Sequence, residues 1–105
     1  MIRSAVRLRS LALVSLFTLI MYDFFVYAIY SSQIDCIYIG QTSNLDKRIN
    51  DHNKGYSKYT SKTNDWKMIY FEKCTNRSEA MKREKQLKSA GGRRFLRQKL
   101  DEANQ

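Results

Sequence analysis

From Phe24 onward the chain reads as short apolar blocks separated by turn residues. Phe24 to Tyr30 is rich in aromatic and β-branched residues and suits a strand, Ser31-Ser32-Gln33 marks a turn, and Cys36-Ile37-Tyr38-Ile39 follows as a second strand that Gly40 ends. So short a connection makes the pair an antiparallel hairpin. Thr42-Ser43-Asn44 supplies a helix cap, Leu45 to His52 carries helical spacing, and Asn53-Lys54-Gly55 supplies the stop. Tyr56 to Asp65 is polar and reads as a loop, and Trp66 to Phe71 alternates incompletely but fits a third strand. Ser78 caps a second helix through Lys88, Gly91-Gly92 breaks it, and Phe95, Leu96 and Leu100 put an apolar stripe on a short third helix. The order ββαβαα predicts an α+β domain, a small three-stranded antiparallel sheet flanked by helices, over residues 22 to 102.

At 105 residues the chain holds one domain with a small core, and no internal repeat is visible. Residues 1 to 21 break the pattern. Arg3, Arg7 and Arg9 precede the apolar run from Leu11 to Met21, which resembles the charged and apolar regions of a signal peptide, yet no small-x-small cleavage site follows. The run is also short for a membrane-spanning helix, which needs about 20 apolar residues, and Asp23 closes it. Three readings are open: an over-long gene start with the chain beginning at Met21, a membrane anchor through residues 11 to 21, and an export signal. The weak targeting features favour the first, and with it a cytoplasmic protein; a membrane-anchored one is the alternative.

Charge narrows the choice of partner. Nineteen Lys and Arg stand against ten Asp and Glu, a net +9, and leaving out the three N-terminal arginines still gives +6. Such a field concentrates polyanions. Cys36 and Cys74 lie far apart without a CxxC spacing and the chain has one histidine, which argues against a Cys/His zinc site and for buried free thiols, with a single long-range disulfide as the alternative for an exported protein.

Helical geometry gathers the remaining polar residues. Leu45, Ile49 and His52 share one face of the first helix with Arg48 at its border, whereas Lys47 and Asp51 point to solvent. On the second helix Ala80, Glu84 and Leu87 align, with Met81 beside them, so a carboxylate enters an apolar stripe and must be paired, protonated or metal-bound. A salt bridge to Arg48 is one solution. Glu84 is expected to face Arg48 and His52 across the domain.

These residues, at these intervals, resemble the GIY-YIG nuclease superfamily. Phe25-Val26-Tyr27 stands where the family has Gly-Ile-Tyr, Tyr38-Ile39-Gly40 matches the second half, and Leu45 to Gly55 looks like the family's helix with its arginine and histidine. Tyr59-Thr60, Trp66-Lys67, Tyr70-Phe71-Glu72 and Ser78 to Lys88 are similar to its small stand-alone bacterial subgroup. The resemblance implies a metal-dependent endonuclease that hydrolyses DNA, which suits DNA repair or processing. It makes Tyr27, Tyr38, Arg48, His52 and Glu84 the catalytic set, with Glu84 the protein ligand of Mg²⁺ or Mn²⁺, an ion that keeps several waters. Arg48 would hold the scissile phosphate, either Tyr27 or Tyr38 would deprotonate the attacking water, and His52 would relay that proton or orient a tyrosine. A phenol of pKa ~10 must be depressed for this, and Arg48 and the metal are the expected causes.

The partner so implied is DNA, branched or single-stranded forms included. Lys54, Lys58 and Lys62 in and before the loop, Tyr59 as a stacking ring, and Arg93 and Arg94 near the C-terminus are the candidate contacts. Two departures stand out. Asp65 precedes Trp66 where the subgroup often has proline, which should loosen the loop, and Gly92 to Phe95 offers no counterpart of an asparagine common near the end of the domain. The second departure supports an alternative reading, a nucleic-acid-binding module that keeps the fold without turnover.

Overall fold

The computed structural model describes residues 24 to 104; the expectations for residues 1 to 21 lie outside that range. The strands are β1 (Phe24–Ser31), β2 (Cys36–Thr42) and β3 (Lys67–Cys74), and the helices are α1 (Leu45–Asn53), α2 (Arg77–Leu87) and α3 (Ala90–Ala103), with one 3₁₀ turn at Lys58–Thr60. The ββαβαα order therefore holds, and the three strands form one antiparallel sheet in the order β2-β1-β3. The hairpin partner and the later strand flank β1, so among the described residues β2 and β3 are the outer strands of the sheet.

Strand alternation decides what each face carries. Val26 and Ala28 of β1 point with Ile39 and Cys74 into a core closed by Ala80 and Leu87 of α2 and Leu96 of α3. Tyr27 and Ile29 point the other way, toward α1 and the loop before β3, where His52, Thr60 and Trp66 are buried. Because β1 is covered on both faces, its sequence is a continuous apolar run instead of an alternating one. The pairing places Tyr27 opposite Gly40 and Phe71, and Val26 opposite Gln41 and Glu72. Tyr27 and Gly40 thus share one face of the sheet, and Gln41 lies on the other.

Boundaries differ from the sequence expectation for local reasons. β2 continues through Gly40 to Thr42, since Gly40 pairs normally with Tyr27. Asn44 caps α1 as expected, its side chain accepting from the Lys47 amide. The αL conformation of Gly55 (φ 80°) carries the chain out of α1 as its amide donates to the His52 carbonyl. Asn76, not Ser78, caps α2: its side chain accepts from the Glu79 amide, and Glu79 in return accepts from Thr75. Gly91 and Gly92 do not separate the last two helices. The break falls at Lys88 and Ser89, whose hydroxyl accepts from the Gly92 amide, so both glycines sit in the first turn of a 14-residue α3.

Asp65 does the opposite of loosening its loop. Its carboxylate accepts hydrogen bonds from the hydroxyls of Ser31, Ser32 and Thr63 and from the Gln33 amide, which ties the segment before β3 to the β1–β2 turn. These bonds, led by that of Ser31, hold the carboxyl far below the ordinary carboxylate range. The order a proline would impose through its ring is supplied here through hydrogen bonds.

Candidate active site

Tyr27 is 1% exposed, and its phenol oxygen lies 2.7 Å from His52 Nε2 and 3.2 Å from Arg48 Nε. His52 Nδ1 is 2.6 Å from Thr60 Oγ1, which is itself 3.4 Å from the Ser57 carbonyl. The direction of this chain follows from which groups can donate. Arg48 Nε has only a proton to give, so Tyr27 accepts it and gives its own proton to His52 Nε2; Nδ1 then donates to Thr60, whose hydroxyl points at Ser57. Trp66 fixes the far end. Its indole donates to the Thr60 carbonyl, and its backbone is bracketed by both amide atoms of Asn53, the last residue of α1.

Burial sets the charges of this chain. Desolvation, only partly offset by the hydrogen bond and charge of Arg48, pushes the Tyr27 phenol up to about 12. Desolvation first and the Arg48 charge second push His52 down to about 4. The expected depression of a tyrosine pKa by Arg48 is therefore not met at Tyr27, where burial outweighs the guanidinium. Near neutral pH both groups are uncharged, and the pair serves to orient Arg48. For the guanidinium itself desolvation opposes the charge, but Tyr27 and Tyr38 outweigh it, so its pKa is raised.

A stability profile should show this burial. His52 has a lower pKa in the folded chain than unfolded, so the unfolded chain binds the extra proton first as pH falls. The stabilisation is complete above about 6.5 and drains away as pH falls towards about 4. The loss is expected to be roughly 2 to 3 kcal/mol. Urea unfolding at stepped pH checks it: between pH 7 and 5 carboxylates contribute little, and His52 is the sole histidine, so a flat profile there would contradict a buried neutral imidazole.

Tyr38 differs from Tyr27 in being half-buried. Its ring meets His52 edge-on at 5.0 Å and Tyr27 edge-on at 6.5 Å, and is tilted against Tyr59 at 5.7 Å. Tyr59 is 68% exposed on the 3₁₀ turn, with Lys62 Nζ 5.2 Å from its ring centre.

Glu84 is reached from the other face of the sheet. Its Oε1 accepts from Gln41 Nε2 at 3.2 Å and its Oε2 pairs with Lys88 Nζ at 2.7 Å, so its partners are Gln41 and Lys88 and not Arg48. Met81 is exposed and takes no part in the stripe that Ala80 and Leu87 form. The expectation that Glu84 faces Arg48 and His52 directly is corrected in the same way: α1 and α2 cover opposite faces. What links the two sets is β2, the edge strand. A groove of about 380 Å³ runs over that edge, lined by Tyr38 and Tyr59 from one side and Lys88 and Arg93 from the other. Lys54, Lys58, Lys62 and Arg94 are exposed but do not line it.

Among the described residues no group of three or more His, Cys, Asp and Glu side chains could cage a metal. A single carboxylate nonetheless suits Mg²⁺ or Mn²⁺, which retain water and complete their shell from substrate phosphate. Two features fit such an ion: the side chain of Glu84 is 20% exposed, and Gln41 Oε1 beside it is a buried acceptor with no partner. The roles of Gln41 and Thr60 were not visible in the sequence. The signal for Thr60 was that a buried histidine needs a partner for its second ring nitrogen.

A β2-β1-β3 sheet with tyrosines on its first two strands, arginine and histidine on the following helix and a glutamate on the next has the composition of a GIY-YIG catalytic domain. The chain belongs to that family: the model of the GIY-YIG catalytic domain matches residues 23–98. It is similar to a UPF0213 protein of Clostridium perfringens, 44% identical over 55 residues that cover 51% of this chain and 59% of the relative. A UPF0213 protein of Natronomonas pharaonis is 32% identical over 68 residues, 64% of this chain and 79% of the relative. One of Haloquadratum walsbyi is 33% identical over 66 residues, 62% and 73%. The chain thus spans less than two thirds of the Clostridium relative. No solved structure matches significantly. No helix among the described residues is long and apolar enough to cross a membrane.

Proposed function

We propose that this protein is a divalent-metal-dependent endonuclease that hydrolyses DNA phosphodiester bonds in the groove over the β2 edge. One observation carries the reading: Tyr38, whose ring packs against Tyr27 and His52 beside Arg48, and Lys88, which pairs with Glu84, line the same groove although Arg48 and Glu84 lie on opposite faces of the sheet. A phosphate in that groove would meet a cation from one side and a carboxylate-held ion from the other. Arg48 would bind the scissile phosphate and stabilise the charge that develops on it. Tyr27 and His52, both uncharged and buried, hold the guanidinium in position. Tyr38 lines the groove whereas Tyr27 is 1% exposed, so Tyr38 is the better placed of the two tyrosines to take or orient the proton of an attacking water. Glu84 would hold Mg²⁺ or Mn²⁺, which when bound supplies Lewis-acid polarisation of the phosphate and the water. Tyr59 with Lys58 and Lys62 would stack on and neutralise the flanking strand, as would Arg93. DNA repair or processing is the setting that such a reaction suits.

The test is cleavage of supercoiled, duplex, branched and single-stranded DNA by the purified chain with Mg²⁺, Mn²⁺ or a chelator. Nicking or strand cutting that requires the divalent ion is expected. Salt-sensitive binding without cutting on any substrate would instead favour the binding module, the reading motivated by the lack of an asparagine in Gly92 to Phe95.

A further inference from the structure

Lys88 is the C-cap residue of α2, one turn after Glu84, and its ammonium sits 2.7 Å from Glu84 Oε2. The same side chain lines the groove beside Arg93 and Tyr38. Gln41 Nε2 donates to the other carboxylate oxygen, so a cation that takes Oε2 meets the Lys88 ammonium already there. An ammonium in that position stands in for a metal ion in charge and in the atom it contacts. It is also a weak occupant: the pair is a solvated i,i+4 ion pair, half-exposed on the lysine side, and such pairs contribute little. A divalent cation would displace it. The displaced side chain stays anchored at the groove, where a phosphate gives it a new partner.

We infer that Lys88 is an exchange residue: it pairs with Glu84 in the free protein and moves to a phosphate of the bound nucleic acid when a divalent cation takes the carboxylate. Metal and polyanion binding then reinforce each other, because each removes the competitor of the other, and the coupling is reciprocal. This rests on Glu84 being the metal ligand. Lys88 acts here as a positioning residue, and its effect is read in binding as well as in turnover.

The experiment measures Mn²⁺ affinity by electron paramagnetic resonance of the free ion, and the affinity for a phosphorothioate oligonucleotide by fluorescence anisotropy with and without Mn²⁺. The full chain is compared with Lys88→Met, Glu84→Gln and Lys85→Met, which loses the same charge from an exposed neighbouring position without touching Glu84. Lys88→Met should bind Mn²⁺ about two- to fivefold more tightly than Lys85→Met, the size expected when a solvated ion pair stops competing. It should also bind the oligonucleotide more weakly and lose most of the gain that Mn²⁺ gives the wild type. Equal Mn²⁺ affinity in the two lysine variants would overturn the exchange while leaving Glu84 as the ligand. Equal Mn²⁺ affinity in wild type and Glu84→Gln would overturn the metal reading itself, and the exchange with it. Circular dichroism melting of each variant checks that Lys88→Met remains folded.

Discussion

Arg48→Lys is expected to slow DNA cleavage by about 10²- to 10³-fold with the fold intact. The substitution keeps the charge and loses the fork. Arg48 spends its Nε proton on the Tyr27 oxygen at 3.2 Å, which leaves its two terminal amino groups for an incoming phosphate. A lysine ammonium is a single point and cannot hold the phenol and present two parallel donors at once. The loss should fall on the chemical step, because the interaction would strengthen as charge develops, whereas under the proposed function ground-state DNA binding would be shared with Arg93 and the loop lysines. Glu84→Ala should lose at least as much activity by a different route, with Mn²⁺ affinity falling and oligonucleotide binding kept. Single-turnover cleavage at saturating DNA, beside binding and melting curves, separates the two. A loss below about tenfold for Arg48→Lys, in a variant that still binds DNA, would move the phosphate clamp to another residue.

Sequence and structure agree where local chemistry decides and part where the topology does. The hairpin, α1 and its Asn44 cap, and the Gly55 exit were legible because aromatic and β-branched density, an Asx cap and an αL glycine act within a few residues. The cap of α2 lies two residues before the expected one because Ser78 and Asn76 are both good caps, and only the return bond that the Thr75 amide donates to Glu79 selects between them. The two glycines at positions 91 and 92 read as a breaker, yet packing of Leu96 and Phe95 against the core that the sheet and α2 form keeps them helical, an instance of tertiary contacts overriding propensity. The candidate site shows the same division. Periodicity correctly put His52 on the inner face of α1 and gave Glu84 a semi-buried position on α2. It carried no information about which face of the sheet each helix would cover, and so it set Glu84 opposite Arg48 instead of around the β2 edge from it. Asp65 was misjudged for a related reason: four of its partners come from residues 31 to 33 and 63, most of them distant in sequence.

Gly40→Ala should damage both stability and catalysis, although it adds one methyl group to an ordinary strand. Gly40 is not among the residues with positive φ, so backbone strain is not the cause. The cause is space: a Cβ there would stand 2.7 Å from the Tyr27 hydroxyl oxygen and 2.9 Å from its ring carbon Cζ, inside van der Waals contact. Tyr27 has nowhere to go. It is 1% exposed and held between His52 and Arg48, so relief must come from displacing the ring or spreading β1 from β2. Overpacking of this kind costs roughly 1 to 3 kcal/mol, which in a domain of this size lowers the melting temperature by roughly 5 to 15 °C. Cleavage should fall further than the lost stability explains, because a shifted phenol releases Arg48. A double-mutant cycle tests the cause: in a Tyr27→Ala background the ring is gone, and Gly40→Ala should then cost less than about 0.5 kcal/mol. Additive losses would mean that Gly40 is needed for something other than the tyrosine that crosses over it. Strong coupling would mean that the glycine of the second tripeptide and the tyrosine of the first act as one unit, the absent side chain of one making room for the ring of the other.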